Sequence, residues 1–113
     1  MDIYFKDRKL EKAMNNERDC IKMWGADNAR KIMTRMAELK AADNLSIIPH
    51  VPPARLHLLT GNRAGQFSVS VKDPFRIIFK PEEDPPPYTT DGGIDKNLVT
   101  KIRIIEVGDY HGQ

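Results

Sequence analysis

From Arg8 onward the apolar residues Leu10, Ala13, Met14, Ile21 and Trp24 recur at spacings of three, four and seven, the signature of one helical face. Gly25 is a natural C-terminal stop for that helix. A second helix is predicted from about Asp27 to Ala42, with Asp27 capping its start and Ala29, Ile32, Met33, Met36 and Leu39 as its apolar stripe. The two pack as a helical hairpin around Trp24-Gly25-Ala26. A stripe so rich in methionine suits either an adaptable partner surface or plain core, and plain core is the commoner use. Past Asn44 the period changes. Ser46 to Ala54 holds three prolines and reads as a connection. Four β-like runs follow: 55–59, 66–71, 75–79 and 101–107. In the second, Phe67, Val69 and Val71 alternate with polar residues and are expected to face the core. Tight turns at 60–65 and 72–74 imply an antiparallel meander. Ile3-Tyr4-Phe5 suits a short edge strand. The expected fold class is α+β, an N-terminal helical hairpin on a four-stranded antiparallel sheet, with one sheet face packed on the helices and the other open to a partner.

A chain of 113 residues with 40% apolar and 30% charged composition is expected to form one domain over residues 1–113. Its apolar runs are far too short to span a membrane, and the charged N-terminus does not read as an export signal. One cysteine, Cys20, cannot form an internal disulfide, which points to a reducing compartment, the cytoplasm. Its expected role is that of a small buried hydrophobe and not a reactive thiol. His50, His57 and His111 are scattered and have no second cysteine, so no metal site is expected. No Walker loop or dinucleotide fingerprint is present, and no cofactor is expected.

The net charge of +2 hides an uneven distribution. Residues 46–80 carry Arg55, Arg63, Lys72, Arg76 and Lys80 against Asp73 alone, whereas residues 81–99 carry Lys96 against five acids. The segment from Pro81 to Val99, with Pro85-Pro86-Pro87 and Gly92-Gly93, reads as a long irregular loop. The basic stretch suits an anionic partner such as nucleic acid, or an ordinary solvated sheet face. Strand alternation puts His57 on the outer face with Arg55, provided that Leu56 and Leu58 point inward, and Arg76 projects outward beside them. Asp109, Tyr110 and His111 follow the last strand. Cleavage of RNA without a metal needs a base for the 2′-hydroxyl, an acid for the departing 5′-oxygen and cations for the phosphorane, and these residue types supply them. From spacing alone, structural or surface roles remain open for all of them.

The segment Arg55-Leu56-His57-Leu58-Leu59-Thr60-Gly61-Asn62-Arg63-Ala64-Gly65-Gln66-Phe67-Ser68-Val69 resembles the signature hairpin of HigB-like toxins in the RelE/ParE superfamily of toxin–antitoxin systems. Phe75-Arg76-Ile77-Ile78-Phe79 resembles the next family strand, and Asp109-Tyr110-His111 resembles the family terminus. The likeness covers roughly residues 3–80 and 100–111. It implies a microbial-ribonuclease-like α+β fold and a ribosome-dependent endoribonuclease that cuts mRNA in the A site. It also implies a cognate helix-turn-helix antitoxin of the HigA kind, with DNA engaged only through the toxin–antitoxin complex. By motif, His57, Asp109, Tyr110, His111 and Arg76 take catalytic positions, and Arg55, Arg63 and Arg76 contact RNA. Thr60 stands where related toxins often carry lysine, and the loop at 81–99 is longer than in compact members; its acids raise the idea of partial self-shielding. Two alternatives stand beside the nuclease: a ParE-like toxin that binds DNA gyrase, and an inactive member that binds only antitoxin or ribosome. The acid–base set favours the nuclease.

Overall fold

The computed structural model describes residues 1–109. Three helices and five strands follow one another as β1 (Asp2–Phe5), α1 (Arg8–Asn15), α2 (Glu17–Trp24), α3 (Ala26–Ala41), β2 (His57–Leu58), β3 (Phe67–Ser70), β4 (Phe75–Pro81) and β5 (Lys101–Asp109), with single 3-10 turns at Leu45–Ile47, Gly61–Arg63 and Lys96–Leu98.

The first predicted helix is two helices. Asp7 caps α1 by accepting from Leu10 N at 2.8 Å. Asn16 then takes an extended backbone, and its side chain accepts from Asp19 N at 3.1 Å, which ends α1 and caps α2. Asparagine can replace a helical hydrogen bond with its own amide, so it serves as a cap inside an otherwise helical sequence. The break rotates the apolar face. Ala13 and Met14 are buried as the spacing requires, but on α2 it is Cys20 that points inward, fully buried, while Ile21 is 40% exposed. Gly25 closes α2 at φ +86, with its N–H bonded to the Ile21 carbonyl at 2.8 Å. It also stands at the start of α3, so Asp27 is not the cap. Asp27 lies in the first turn and pairs instead with Lys72 and Arg30, both at 3.1 Å. The hydrogen bond from Lys72, and then that cation's charge, hold the Asp27 carboxyl below its ordinary range. The α3 stripe is core as expected: Ala29, Ile32, Met36 and Leu39 are buried and Met33 is half-buried.

The sheet has five strands in the order β1-β5-β4-β3-β2 and is mixed. The expected antiparallel meander is present in β2 to β5, but β1 pairs parallel with β5, Asp2 opposite Lys101 and Phe5 opposite Ile104. A parallel neighbour needs a long crossover, and three helices and the rest of the sheet intervene between these two strands. One face buries Phe67, Val69, Ile77, Phe79, Ile102 and Ile104 against the helices, with Phe67 and Phe79 in register and stacked at 6.0 Å. The other face is less open than alternation predicts, because Ser68 and Ser70 are buried as well. β2 is also shorter than the predicted run. Arg55 takes φ +53, outside any strand conformation, and Gly61 begins a 3-10 turn. Leu58 pairs with Phe67 and shares its face, yet it lies on the edge strand and stays 48% exposed.

The 81–99 segment is held at both ends. Arg103 binds Glu82 through Nε and Nη2 at 2.8 and 2.6 Å, donates to the Phe5 carbonyl at 2.8 Å and lies 5.7 Å over the Tyr4 ring. Further along, Tyr88 bridges Ile94, and Asp95 caps the last 3-10 turn. Among the described residues no helix is long and apolar enough to cross a membrane.

Two stability measurements test this packing. Arg35 is buried in α3, donates to the Ser70 carbonyl at 2.9 Å and pairs with Glu38 at 3.0 Å. Arg35→Met removes a charged donor from a buried carbonyl and is expected to cost about 1–3 kcal/mol in urea unfolding; an unchanged midpoint would show that the contact does not hold α3 to β3. Burial pushes the Cys20 thiol above its ordinary pKa. A thiol reagent is expected to label Cys20 slowly in native buffer and quickly in denaturant, and prompt native labelling would mean that α2 opens.

Candidate functional site

β-Sheet register decides which side chains meet on the outer face. His57 opposes Ser68, Ser68 opposes Ile78 and Ile78 opposes Glu106, so these four form one row across β2 to β5. Ser70, Arg76 and Gly108 form the adjacent row. His57 is exposed and Arg76 half-buried. Arg76 Nη1 donates to the Ser68 hydroxyl at a long 3.4 Å, and among the described residues Arg76 forms no ion pair. Among the described residues, a buried serine below and a glycine opposite leave its guanidinium with little side-chain competition for an incoming oxyanion.

Glu106 reaches this face through an irregularity. Phe79 opposes Ile104, yet its neighbour Ile78 opposes Glu106, so Ile105 is an extra residue in β5. Simple alternation from Ile102 and Ile104 would put Glu106 in the core. The bulge reverses the parity, sends Val107 to the core side and Glu106 outward. There it forms an ion pair with Arg63, which reaches over from the turn after β2 and also donates to Gln66 Oε1 at 3.0 Å.

The remaining expected residues separate. Arg55 precedes β2 and pairs with Asp73 at 3.6 Å, at the end of the sheet where β3 turns into β4. It does not share the His57 row. Asp109 ends β5 opposite Phe75 and is exposed; its register puts it on the parity opposite to Arg76. Tyr110 and His111 lie outside the described residues. His57, Arg63 and Arg76 therefore come together on the outer face, with Glu106, Ser68 and Gln66 as partners that sequence reading missed. Glu106 had no visible signal: a residue 43 positions from Arg63 was brought to it by a one-residue bulge.

Thr60 sits at the start of the turn and, with Lys80, Glu83 and Tyr88, borders a cleft of about 870 Å³ between that turn and the acidic loop. Neither His57 nor Arg76 lines it, so the cleft is a space beside the two rows. Glu82, the first of its acids, is already engaged by Arg103.

The course of this backbone is similar to that of solved structures. A YoeB/ParE toxin from Agrobacterium tumefaciens superposes with a TM-score of 0.58 at 11% identity, covering 98% of this chain and 100% of that one. The fold is that of the YoeB/ParE toxins. A YoeB–YefM complex from Staphylococcus aureus matches with a TM-score of 0.53 at 12% identity, covering 99% of this chain and 98% of that one. No protein-family model and no curated protein matches the sequence. The YoeB/ParE likeness thus lies in the course of the backbone and leaves the side chains of the outer face to be read by themselves.

Those side chains suit an anion, and salt dependence measures it. Binding of a short RNA oligonucleotide to this protein is expected to weaken steeply with salt, and Arg76→Gln should reduce the slope of log Kobs against log salt by about one. An unchanged slope would remove Arg76 from the anion-binding surface.

Proposed function

We propose that the protein is a HigB-like toxin of a type II toxin–antitoxin system, acting in the cytoplasm as a ribosome-dependent endoribonuclease that cuts mRNA in the A site. The observation that carries this reading is that His57 on β2 and Arg76 on β4 share the outer face in neighbouring rows, with Arg63 reaching the same face. The YoeB/ParE fold supports the toxin part of the reading. The motif resemblance of Arg55 to Val69 and of Asp109-Tyr110-His111 supports the ribonuclease part.

In this mechanism the reaction runs by general acid–base catalysis, with no metal or cofactor. His111, with Asp109 beside it in sequence, transfers a proton at the scissile phosphate. His57 contacts the phosphate or carries the complementary proton. One group takes the proton of the 2′-hydroxyl, whose oxygen attacks phosphorus, and the other protonates the departing 5′-oxygen. Arg76 meets the charge that develops on the phosphorane oxygens, where a planar cation acts more strongly than on the ground state. Arg63 contacts the RNA backbone or the scissile phosphate, Arg55 contacts the RNA backbone, and Tyr110 stacks on a base or donates its hydroxyl. The partner that silences the toxin is a helix-turn-helix antitoxin of the HigA kind, and DNA is reached through that complex. One of the similar solved structures is a complex of YoeB with YefM, which supports a cognate protein partner.

Expression in bacteria without an antitoxin tests the reading, with growth and mRNA 5′ ends as readouts. His111→Gln is expected to lower cleavage by about two to four orders of magnitude while the protein stays folded. A variant as toxic as its parent, with the same cut sites, would remove His111 from proton transfer. Growth arrest with intact mRNA and failed DNA replication would replace the ribonuclease with a gyrase-directed toxin.

A further inference from the structure

The acid–base set assigned above leaves Glu106, a charged group of the outer face, unused. Glu106 is half-buried on β5, and its Oε1 accepts from Nη2 of Arg63. The same guanidinium donates through Nη1 to Gln66 Oε1 at 3.0 Å. Among the described residues Arg63 is thus held by its own turn and by a strand far along the chain. The second grip exists only because the bulge at Ile105 turns Glu106 outward onto the row that begins with His57.

A carboxylate in a surface meant for phosphate is costly for binding, since it repels the substrate and occupies a cation. It is useful if the cation must be held still. An arginine on a turn has many rotamers, and ordering it during the reaction slows the chemistry. A guanidinium has five N–H donors, so a carboxylate can orient it while other donors face a phosphate. We propose that Glu106 is a positioning residue: it orients Arg63 toward the scissile phosphate on the outer face and acts on the reaction only through that guanidinium. The proposal rests on the ribonuclease reading.

Its signature is a split between binding and chemistry. Glu106→Gln keeps the side-chain shape and removes the charge. Ribosome-bound mRNA should bind at least as tightly, because one anion is gone, while single-turnover cleavage falls about ten- to a hundredfold. Glu106→Asp, which restores the carboxylate, should recover part of the loss. Arg63→Ala combined with Glu106→Gln should cut within about twofold of Arg63→Ala alone, because the second residue has nothing left to orient. A role in folding alone would not produce this split, and thermal unfolding of each variant checks that the fold persists. Glu106→Gln cutting as fast as the parent would overturn the proposal. So would losses that multiply in the double variant, or a missing acid limb in the pH–rate profile, which would make Glu106 a proton-transfer group itself. A parent that leaves mRNA intact would overturn the ribonuclease reading and this role with it. An active parent with an unaltered Glu106→Gln overturns the positioning role alone.

Discussion

β5 takes part in two ladders at once, and most of the molecule depends on that. It runs parallel to β1 and antiparallel to β4, so it is the strand that joins the N-terminal segment to the meander. Ile102 and Ile104 are both fully buried beneath the helices. The strand must satisfy two registers while keeping its apolar residues on one face. Over Lys101 to Ile104 a single alternation suffices. Beyond Ile104 the bulge resets it, and the outward positions then carry Glu106 and Gly108 where the partner strand offers Ile78 and Arg76. A bulge of this kind re-aims side chains at low cost because the ladder resumes after one residue. One irregular residue therefore separates the core-forming half of β5 from the half that borders the site.

Arg103 anchors the same strand from its outer side. Its bonds to Glu82 and to the Phe5 carbonyl join the end of β4 and the edge strand across β5. The Glu82 carboxylate, which accepts two hydrogen bonds, raises the Arg103 pKa further. A long connection costs little extra closure entropy once its ends are held, and here the first residue past β4 is fixed. The acidic segment is thus compatible with a well-defined sheet, and the cleft that it borders is lined by neither His57 nor Arg76.

On that face charge is arranged unevenly. Arg76 has a serine hydroxyl beneath it, Arg63 a carboxylate and an amide, and Arg55 an aspartate at the far turn. Three arginines that look equivalent in the sequence therefore have three different strengths toward an anion. Among the described residues the least neutralised of the three, Arg76, is also in the row next to His57. A cation free of a competing carboxylate interacts with a phosphate without first breaking an ion pair.

Much of the architecture was legible in the sequence because it follows from period. The helical stripe from Ala29 to Leu39, the stop at Gly25 and the alternation of Phe67 and Val69 with serines are local patterns, and the structure contains them. The outward positions of His57 and Arg76 follow from the same local rule. Patterns of that kind cannot report events in which distant segments choose each other. Asn16 could continue a helix or cap a new one, and packing of Cys20 chose the cap. Ile3-Tyr4-Phe5 could be any short strand, and only the β5 ladder made it a parallel one. Glu106 was hidden for the same reason: hydrophobic period assigns it to the core side, and the register forced by β4 sends it outward to meet an arginine 43 positions away. Residue type and local period set which chemistry is present, whereas register, summed over strands far apart in the chain, decided which of those groups face one another.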